Sequence, residues 1–231
     1  MAAQTGARVA WVTPLRIFHI CPICNLASIA KAKALYAKTK LARKGMTYGN
    51  IAYQGAQGKR AAKLVTKPPA GTVHDYVPFY FAPRSPMLFT INKGNVPDCP
   101  YRQQEIVHFM TTVEVIVENE LPFVFYDYNA TLDIATCYNN LKDLAKINWP
   151  LFYELPRLDG YCMFFKNDIN KPKYMLRRET RQAEFLVHEK VPLKLMDRVG
   201  VYSEVKAEEV RGIFRRAGVD LEVEAKPEWY F

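Results

Sequence analysis

Glu184 lies in Arg181-Gln182-Ala183-Glu184-Phe185-Leu186-Val187-His188, a segment whose other residues are mostly apolar and suited to a strand. A two-residue period puts Glu184, Leu186 and His188 on one face and Phe185 and Val187 on the other. A carboxylate in such a segment either opens on a cleft, where it can do chemistry, or faces solvent from an edge strand. Arg60 follows Tyr53-Gln54-Gly55-Ala56-Gln57-Gly58-Lys59. Glycines and amides beside a basic pair suit a loop that approaches a phosphate or a planar base; a plain surface arginine fits the same residues. Tyr80-Phe81-Ala82-Pro83-Arg84-Ser85-Pro86-Met87 places a polar turn before a capped helix, where backbone N–H groups can meet a ligand, although Met87 equally suits core filling. His19 and Cys21-Pro22-Ile23-Cys24 raise a metal or redox reading. A structural zinc site wants four ligands, and no second CxxC or HxxxH pair follows, so no metal is expected. His74, His108 and His188 read as structural or surface residues.

The elements that must position these groups are legible in outline. Arg16–Ile20 predicts a short strand, and Asn25 predicts the cap of a helix running through Leu26, Ile29 and Leu35. Thr66–Gly71 is a loop, and Val77–Phe81 a buried strand. Ser85 and Pro86 start a helix that reaches about Lys93 and stops at Gly94. Further strands are expected at Glu105–Met110, Pro122–Tyr126, Ala183–His188, Val199–Tyr202 and Val219–Glu224, with a last helix from Ser203 to Gly218. Between Asp127 and Arg181 the pattern is irregular or helical and rich in aromatics, among them Tyr138, Trp149, Phe152, Tyr161 and Phe165. Strands and helices mix without βαβ alternation, which predicts a single α+β domain over 1–231 with a split, mostly antiparallel sheet. No GxGxxG or P-loop is present, so a dinucleotide would have to bind another way.

With 49% hydrophobic and 24% charged residues the chain is of ordinary globular composition, which excludes disordered and collagen-like classes. No run is long enough to span a bilayer. The start of the chain lacks the charged and apolar stretches of a secretion signal, and five irregularly spaced cysteines read as reduced thiols rather than a disulfide framework. The expected location is therefore the cytoplasm, with no membrane partner. Within a formal net charge of +9, residues 1–74 hold twelve Lys and Arg and no Asp or Glu, whereas the remainder sums to −3. This asymmetry favours a phosphate-bearing partner, nucleotide or polynucleotide; a basic face kept for solubility is the alternative.

Taken in order, several stretches resemble the DarT family of DNA ADP-ribosyltransferases. They are Ile17-Phe18-His19-Ile20 with Asn25-Leu26, Ile51-Ala52-Tyr53-Gln54-Gly55, His74 through Met87, Asn92-Lys93-Gly94-Asn95-Val96, Leu121-Pro122-Phe123-Val124-Phe125, Asp143-Leu144 with Trp149-Pro150, and Arg181 through Val187. The His74–Met87 run is the most specific. Tyr80-Phe81-Ala82 with Ser85 more distantly resembles the second motif of poly(ADP-ribose) polymerases. One departure is that Cys21 and Cys24 flank Pro22, where the resemblance predicts polar residues.

The resemblance implies the ADP-ribosyltransferase fold, gripping an extended NAD+, and transfer of ADP-ribose to a base of single-stranded DNA, thymine N3 first. It implies Glu184 and Arg60 as the catalytic pair. His19, Asn25, Arg60 and Met87 would contact NAD+, with Met87 at the nicotinamide. Residues 127–181 would be a substrate-facing insertion, and Arg84, Lys166, Lys173, Arg177 and Arg178 the DNA contacts. It also implies a toxin paired with a DarG-type macrodomain antitoxin. Cleavage of the nicotinamide–ribose bond builds positive charge on the sugar, so a carboxylate holding the neighbouring hydroxyl gains interaction in the transition state. A guanine- or RNA-directed relative and a non-catalytic single-strand-binding protein remain the competing readings.

Overall fold

In a computed structural model that describes residues 12–231 other than Tyr53, the alternating apolar runs form one eight-stranded sheet. Arg8 of the basic segment and Tyr53 lie outside the described residues. In chain order the elements are β1 (Arg16–Pro22), α1 (Leu26–Ala32), β2 (Ala34–Tyr36), α2 (Lys38–Arg43), α3 (Gln54–Ala62), β3 (Tyr76–Tyr80), α4 (Pro86–Asn92), β4 (Ile106–Thr112), α5 (Val113–Glu118) and β5 (Phe123–Tyr126). There follow β6 (Cys137–Tyr138), α6 (Pro150–Tyr153), β7 (Arg157–Leu158), β8 (Tyr161–Cys162), α7 (Arg177–Thr180), β9 (Glu184–His188), β10 (Lys190–Pro192), β11 (Arg198–Val201), α8 (Glu204–Arg216) and β12 (Glu222–Ala225).

The sheet order is β12-β11-β4-β1-β3-β9-β5-β6, with β11–β12 the parallel pair and the other named pairings antiparallel. It is split, as expected. β1 pairs with β4 from Arg16↔Thr112 to Pro22↔Ile106, and β3 pairs with β9 from Tyr76↔His188 to Tyr80↔Glu184. Between the two halves, β1 and β3 register only at Phe18↔Tyr80 and then splay apart. Phe18, Phe79, Phe81, Phe109, Phe125 and Phe185, all fully buried, fill the main core. On the other face of β3, β9 and β5 a smaller cluster of Tyr76, Val124, Tyr126 and Leu186 is buried.

Local signals hold where the chemistry is local. Ser85 Oγ accepts from Leu88 N–H at 3.2 Å, with Pro86 in the first turn. Ser203 accepts from Lys206 N–H at the start of α8. Three expectations are corrected. The helix after Asn25 ends at Ala32, because Lys33 turns left-handed (φ 52°) and delivers Leu35 into β2, where it pairs with Val191. The last strand starts at Glu222 rather than Val219, because Val219 N–H closes the end of α8 on the Phe214 carbonyl. The segment carrying Arg60 is the helix α3, not a loop, despite Gly55 and Gly58.

Residues 127–181 contribute only two-residue strands and single helical turns to the named elements. Their cohesion is aromatic and arginine-based. Trp149 is buried and sits edge-on to Phe81 at 5.3 Å. Arg181, 1% exposed, donates through Nη1 to the carbonyls of Cys162 (2.9 Å) and Phe164 (3.1 Å).

His108, on β4, is fully buried; its Nε2 lies 3.0 Å from the Pro83 carbonyl, which can only accept, so that nitrogen carries the proton. Burial pulls its pKa from 6.5 down to about 4. The unfolded chain therefore takes up a proton that the fold refuses. The contribution of the neutral ring is intact above about pH 6.5 and is lost as the pH falls toward 4. We expect this ring alone to cost about 2 kcal/mol of stability between pH 7 and pH 5. Urea unfolding at the two pH values checks this: His108→Gln, which keeps a donor for Pro83, should reduce the difference by that amount.

Candidate active site

The splay between β1 and β3 opens a cleft of about 940 Å³, lined among others by His19, Asn25, Lys38, Gln57, Arg60, His74, Tyr80, Met87 and Glu184. Glu184 starts β9, an interior strand between β3 and β5, which removes the edge-strand reading. Tyr80 and Tyr126 are its registered neighbours, so the three side chains share a face. The carboxylate is 1% exposed. Its Oε1 accepts from Arg60 Nη1 at 2.9 Å and from Ala130 N–H at 3.0 Å. Oε2 lies 2.8 Å from the same Nη1 without a hydrogen bond, and among the described residues it has no hydrogen-bond partner. One buried carboxylate oxygen is thus charge-compensated yet has hydrogen-bonding capacity left over.

Arg60 reaches this carboxylate from α3, across 124 residues of sequence. The Ala130 amide is presented by a turn that Asn129 holds, its Oδ1 accepting from Thr131 N–H (3.0 Å) and Thr131 Oγ1 (2.7 Å). No side-chain pattern announces Ala130, because its part is played by the backbone.

His19, in β1, spans the split: its Nδ1 is 2.8 Å from the Pro78 carbonyl and must be the protonated nitrogen. Burial lowers its pKa to about 4, so the ring is neutral at pH 7 and Nε2 keeps an acceptor lone pair. Asn25 occupies the N-cap position of α1, but its side chain makes no cap hydrogen bond. Its side chain grips Gly49 from both sides, Nδ2 donating to the Gly49 carbonyl at 3.0 Å and Oδ1 accepting from Gly49 N–H at 2.6 Å. A Cβ at Gly49 would fall 2.6 Å from Tyr101 Oη and 2.7 Å from Cys24 Sγ, so these two side-chain ends would have to move to admit it. Met87, from α4, accepts the Tyr80 hydroxyl at its sulfur (3.2 Å). Burial and the nearby Glu184 charge raise the Tyr80 pKa, so the phenol stays protonated and donates.

The five cations singled out in the sequence are dispersed. Lys166 and Arg178 line the cleft. Lys166 Nζ lies 5.7 Å from the centre of the Phe89 ring, and Arg178 pairs with Glu179 at 2.9 Å. Lys173 and Arg177 instead converge on Glu154, and the Arg177 guanidinium carbon lies over the Tyr174 ring, 3.6 Å from its centre. Arg84 is stacked on Phe231 at 4.5 Å. None of these last three is among the cleft-lining residues.

The sequence reading missed a cluster beside Arg60. Lys38 Nζ donates to Gln57 Oε1 at 2.7 Å, and His74 Nε2 lies 3.1 Å from the same oxygen. Burial, then Lys38 and Arg60, lower the His74 pKa to about 4. His74 is half-buried and lines the cleft. All five cysteines are free, and among the described residues no group of three or more His, Cys, Asp or Glu is arranged to hold a metal. No helix among them is long and apolar enough to cross a membrane.

Comparison with known proteins agrees with this geometry. The family model for DarT, described as ssDNA thymidine ADP-ribosyltransferase, matches residues 18–231. A DNA ADP-ribosyl transferase of Thermus sp. (strain 2.9) is 34% identical over 203 residues, 88% of each chain. The solved structure of Thermus sp. 2.9 DarT in complex with ADP-ribosylated ssDNA superposes with a TM-score of 0.82 at 31% identity, over 97% of this chain and 100% of that one. The same protein in complex with NAD+ gives 0.79 at 30% identity, over 96% and 100%.

Proposed function

The chain belongs to the DarT family of single-stranded-DNA thymidine ADP-ribosyltransferases, so its reaction is transfer of ADP-ribose from NAD+ to a DNA base, and we propose that thymine N3 is the acceptor and that Glu184 and Arg60 carry the step. The observation that supports the pair is the unsatisfied Oε2 of Glu184, buried beside Arg60 in a cleft large enough for a dinucleotide. A hydroxyl of the nicotinamide ribose donating to Oε2 satisfies that oxygen. As the nicotinamide bond lengthens and the sugar becomes cationic, this contact strengthens, and only such a gain lowers the barrier. Arg60 touches Glu184 through Nη1, and its other nitrogens can face the acceptor base. An imide loses its N3 proton more readily beside a fixed cation that cannot itself deprotonate.

The same geometry supports the remaining contacts of this reading. Neutral His19 accepts a hydroxyl of the dinucleotide at Nε2. Met87, tethered to Tyr80, borders the nicotinamide. Asn25 acts through the Gly49 strap on the cleft wall. Asn25→Ala removes two hydrogen bonds, each worth about 1 kcal/mol, and should raise KM for NAD+ about tenfold or more with a smaller change in kcat. Initial rates at varied NAD+ check this; an unchanged KM would show that the strap is not part of the cofactor site.

Lys166 and Arg178 on the cleft rim, with Phe165 beside them, suit the backbone and splayed bases of a single strand. Residues 127–181, which contain all three, would be the substrate-facing part of one domain. A DarG-type macrodomain that removes the base adduct would be the antitoxin partner. The reading is tested by incubating the protein with NAD+ and oligomers with or without thymidine, followed by mass spectrometry. An ADP-ribose adduct confined to thymidine is the expected result, and nicotinamide release without any base adduct rejects it.

A further inference from the structure

We infer that Gln57 is a specificity-determining residue, its amide N–H groups presented to a carbonyl oxygen beside the reacting nitrogen of the acceptor base. The inference deepens the thymine-N3 reading and rests on it. Three residues apart on α3, Gln57 and Arg60 lie on neighbouring positions of one helix face, and both line the cleft.

The orientation of the Gln57 amide follows from its partners. An ammonium group only donates, so the atom 2.7 Å from Lys38 Nζ is the carbonyl oxygen. His74 Nε2 approaches that same oxygen at 3.1 Å and must therefore carry a proton. Two donors thus hold one end of the amide, and its NH2 end is turned away from both. Among the described residues that NH2 has no hydrogen-bond partner, and it belongs to a side chain on the cleft wall.

Donors in that place select between bases. Thymine N3 is flanked by two carbonyls, O2 and O4, so Arg60 at one side and the Gln57 amide at the other both meet acceptors. Guanine N1 and cytosine N3 each lie between one carbonyl and one exocyclic amine. With either base, one of the two protein donors would face a donor, and the mismatched polar groups would be left unpaired in a desolvated site. Lys38 and His74 act one step back as positioning residues: they prevent the amide from flipping, which would present an acceptor and reverse the preference.

The test uses sulfur in place of each thymine carbonyl in turn. Oligomers carrying thymidine, 2-thiothymidine or 4-thiothymidine at the target position are compared by kcat/KM with wild-type protein, Gln57→Leu and Lys38→Met. A thiocarbonyl is the poorer acceptor, and its effect on N3 acidity is common to all three proteins and cancels in the comparison. The expected result is that Gln57→Leu lowers kcat/KM for thymidine at least about tenfold, and that at one of the two positions sulfur costs wild-type protein at least about fivefold more than it costs Gln57→Leu. Lys38→Met, with a free amide, should give an intermediate coupling at that same position. If Gln57 only ties α2 to α3, the variant loses activity on all three oligomers by one common factor, and this overturns the inference while leaving the thymine reading in place. Absence of any wild-type adduct on thymidine rejects both.

Discussion

Glu184→Gln is expected to lower transfer to DNA by at least about 10²–10³-fold, the loss typical when a preorganised electrostatic partner of a transition-state charge is removed. Glutamine has nearly the shape of glutamate and can still accept the Ala130 N–H, so the turn at Asn129 and the start of β9 should survive. What disappears is the negative charge proposed to face the sugar. The substitution also leaves the Arg60 guanidinium, whose side chain is only 13% exposed, without its carboxylate. Removing one partner of a buried pair costs about 3–5 kcal/mol. Activity and urea unfolding measured on the same preparation separate the two effects. Transfer within tenfold of wild type by a folded Glu184→Gln protein would sink the assignment.

Arg60→Ala should be comparably damaging, by the opposite half of the same pair. It strands a carboxylate that is 1% exposed and has Ala130 N–H as its remaining donor, so a loss of about 3–5 kcal/mol in stability is expected. It also removes the cation proposed to favour the anionic imide, and transfer should fall by at least about 10²–10³-fold. Arg60→Lys distinguishes the roles. An ammonium can restore the charge beside Glu184 and with it most of the stability, but as a compact point charge it cannot hold the carboxylate and a base together through separate planar donors. Stability recovered without transfer is the expected pattern. Full recovery of both would show that only charge matters at this position. The Glu184→Gln/Arg60→Ala double variant should be less destabilised than the sum of the single changes, because neither charge is then left alone.

Elements whose signal is carried by neighbouring residues could be read directly. The Ser85–Pro86 helix start, the strand through Glu184 and the Ser203 cap needed only side chains within a few positions of one another. The site was legible through the ordered resemblance more than through any single motif, and Glu184 alone was compatible with an exposed edge. Errors arose where distant contacts overrode local preference. Asn25 is a good helix cap by type, but its side chain is taken by Gly49. Gly55 and Gly58 argue against a helix, each costing about 1 kcal/mol relative to alanine, yet α3 forms and packs beside the segment that begins β3. The resemblance implied Lys173 and Arg177 as DNA contacts, and in the fold both pair with Glu154.

The amino-acid order by itself determined most of the sheet's strands, the Ser85 and Ser203 helix starts, the basic first third of the chain and the identity of the acidic and basic residues suited to sugar and base chemistry. Which of many similar residues would meet was decided only by the tertiary structure. The Phe18↔Tyr80 pairing after which β1 and β3 splay, the Arg60–Glu184 contact and the Lys38–Gln57–His74 junction each join segments with no local signal pointing from one to the other. Hydrophobic periodicity says which face of a strand turns inward, but not which strand lies beside it; that follows from packing the whole core at once, and the cleft is what remains where two halves of the sheet cannot stay paired.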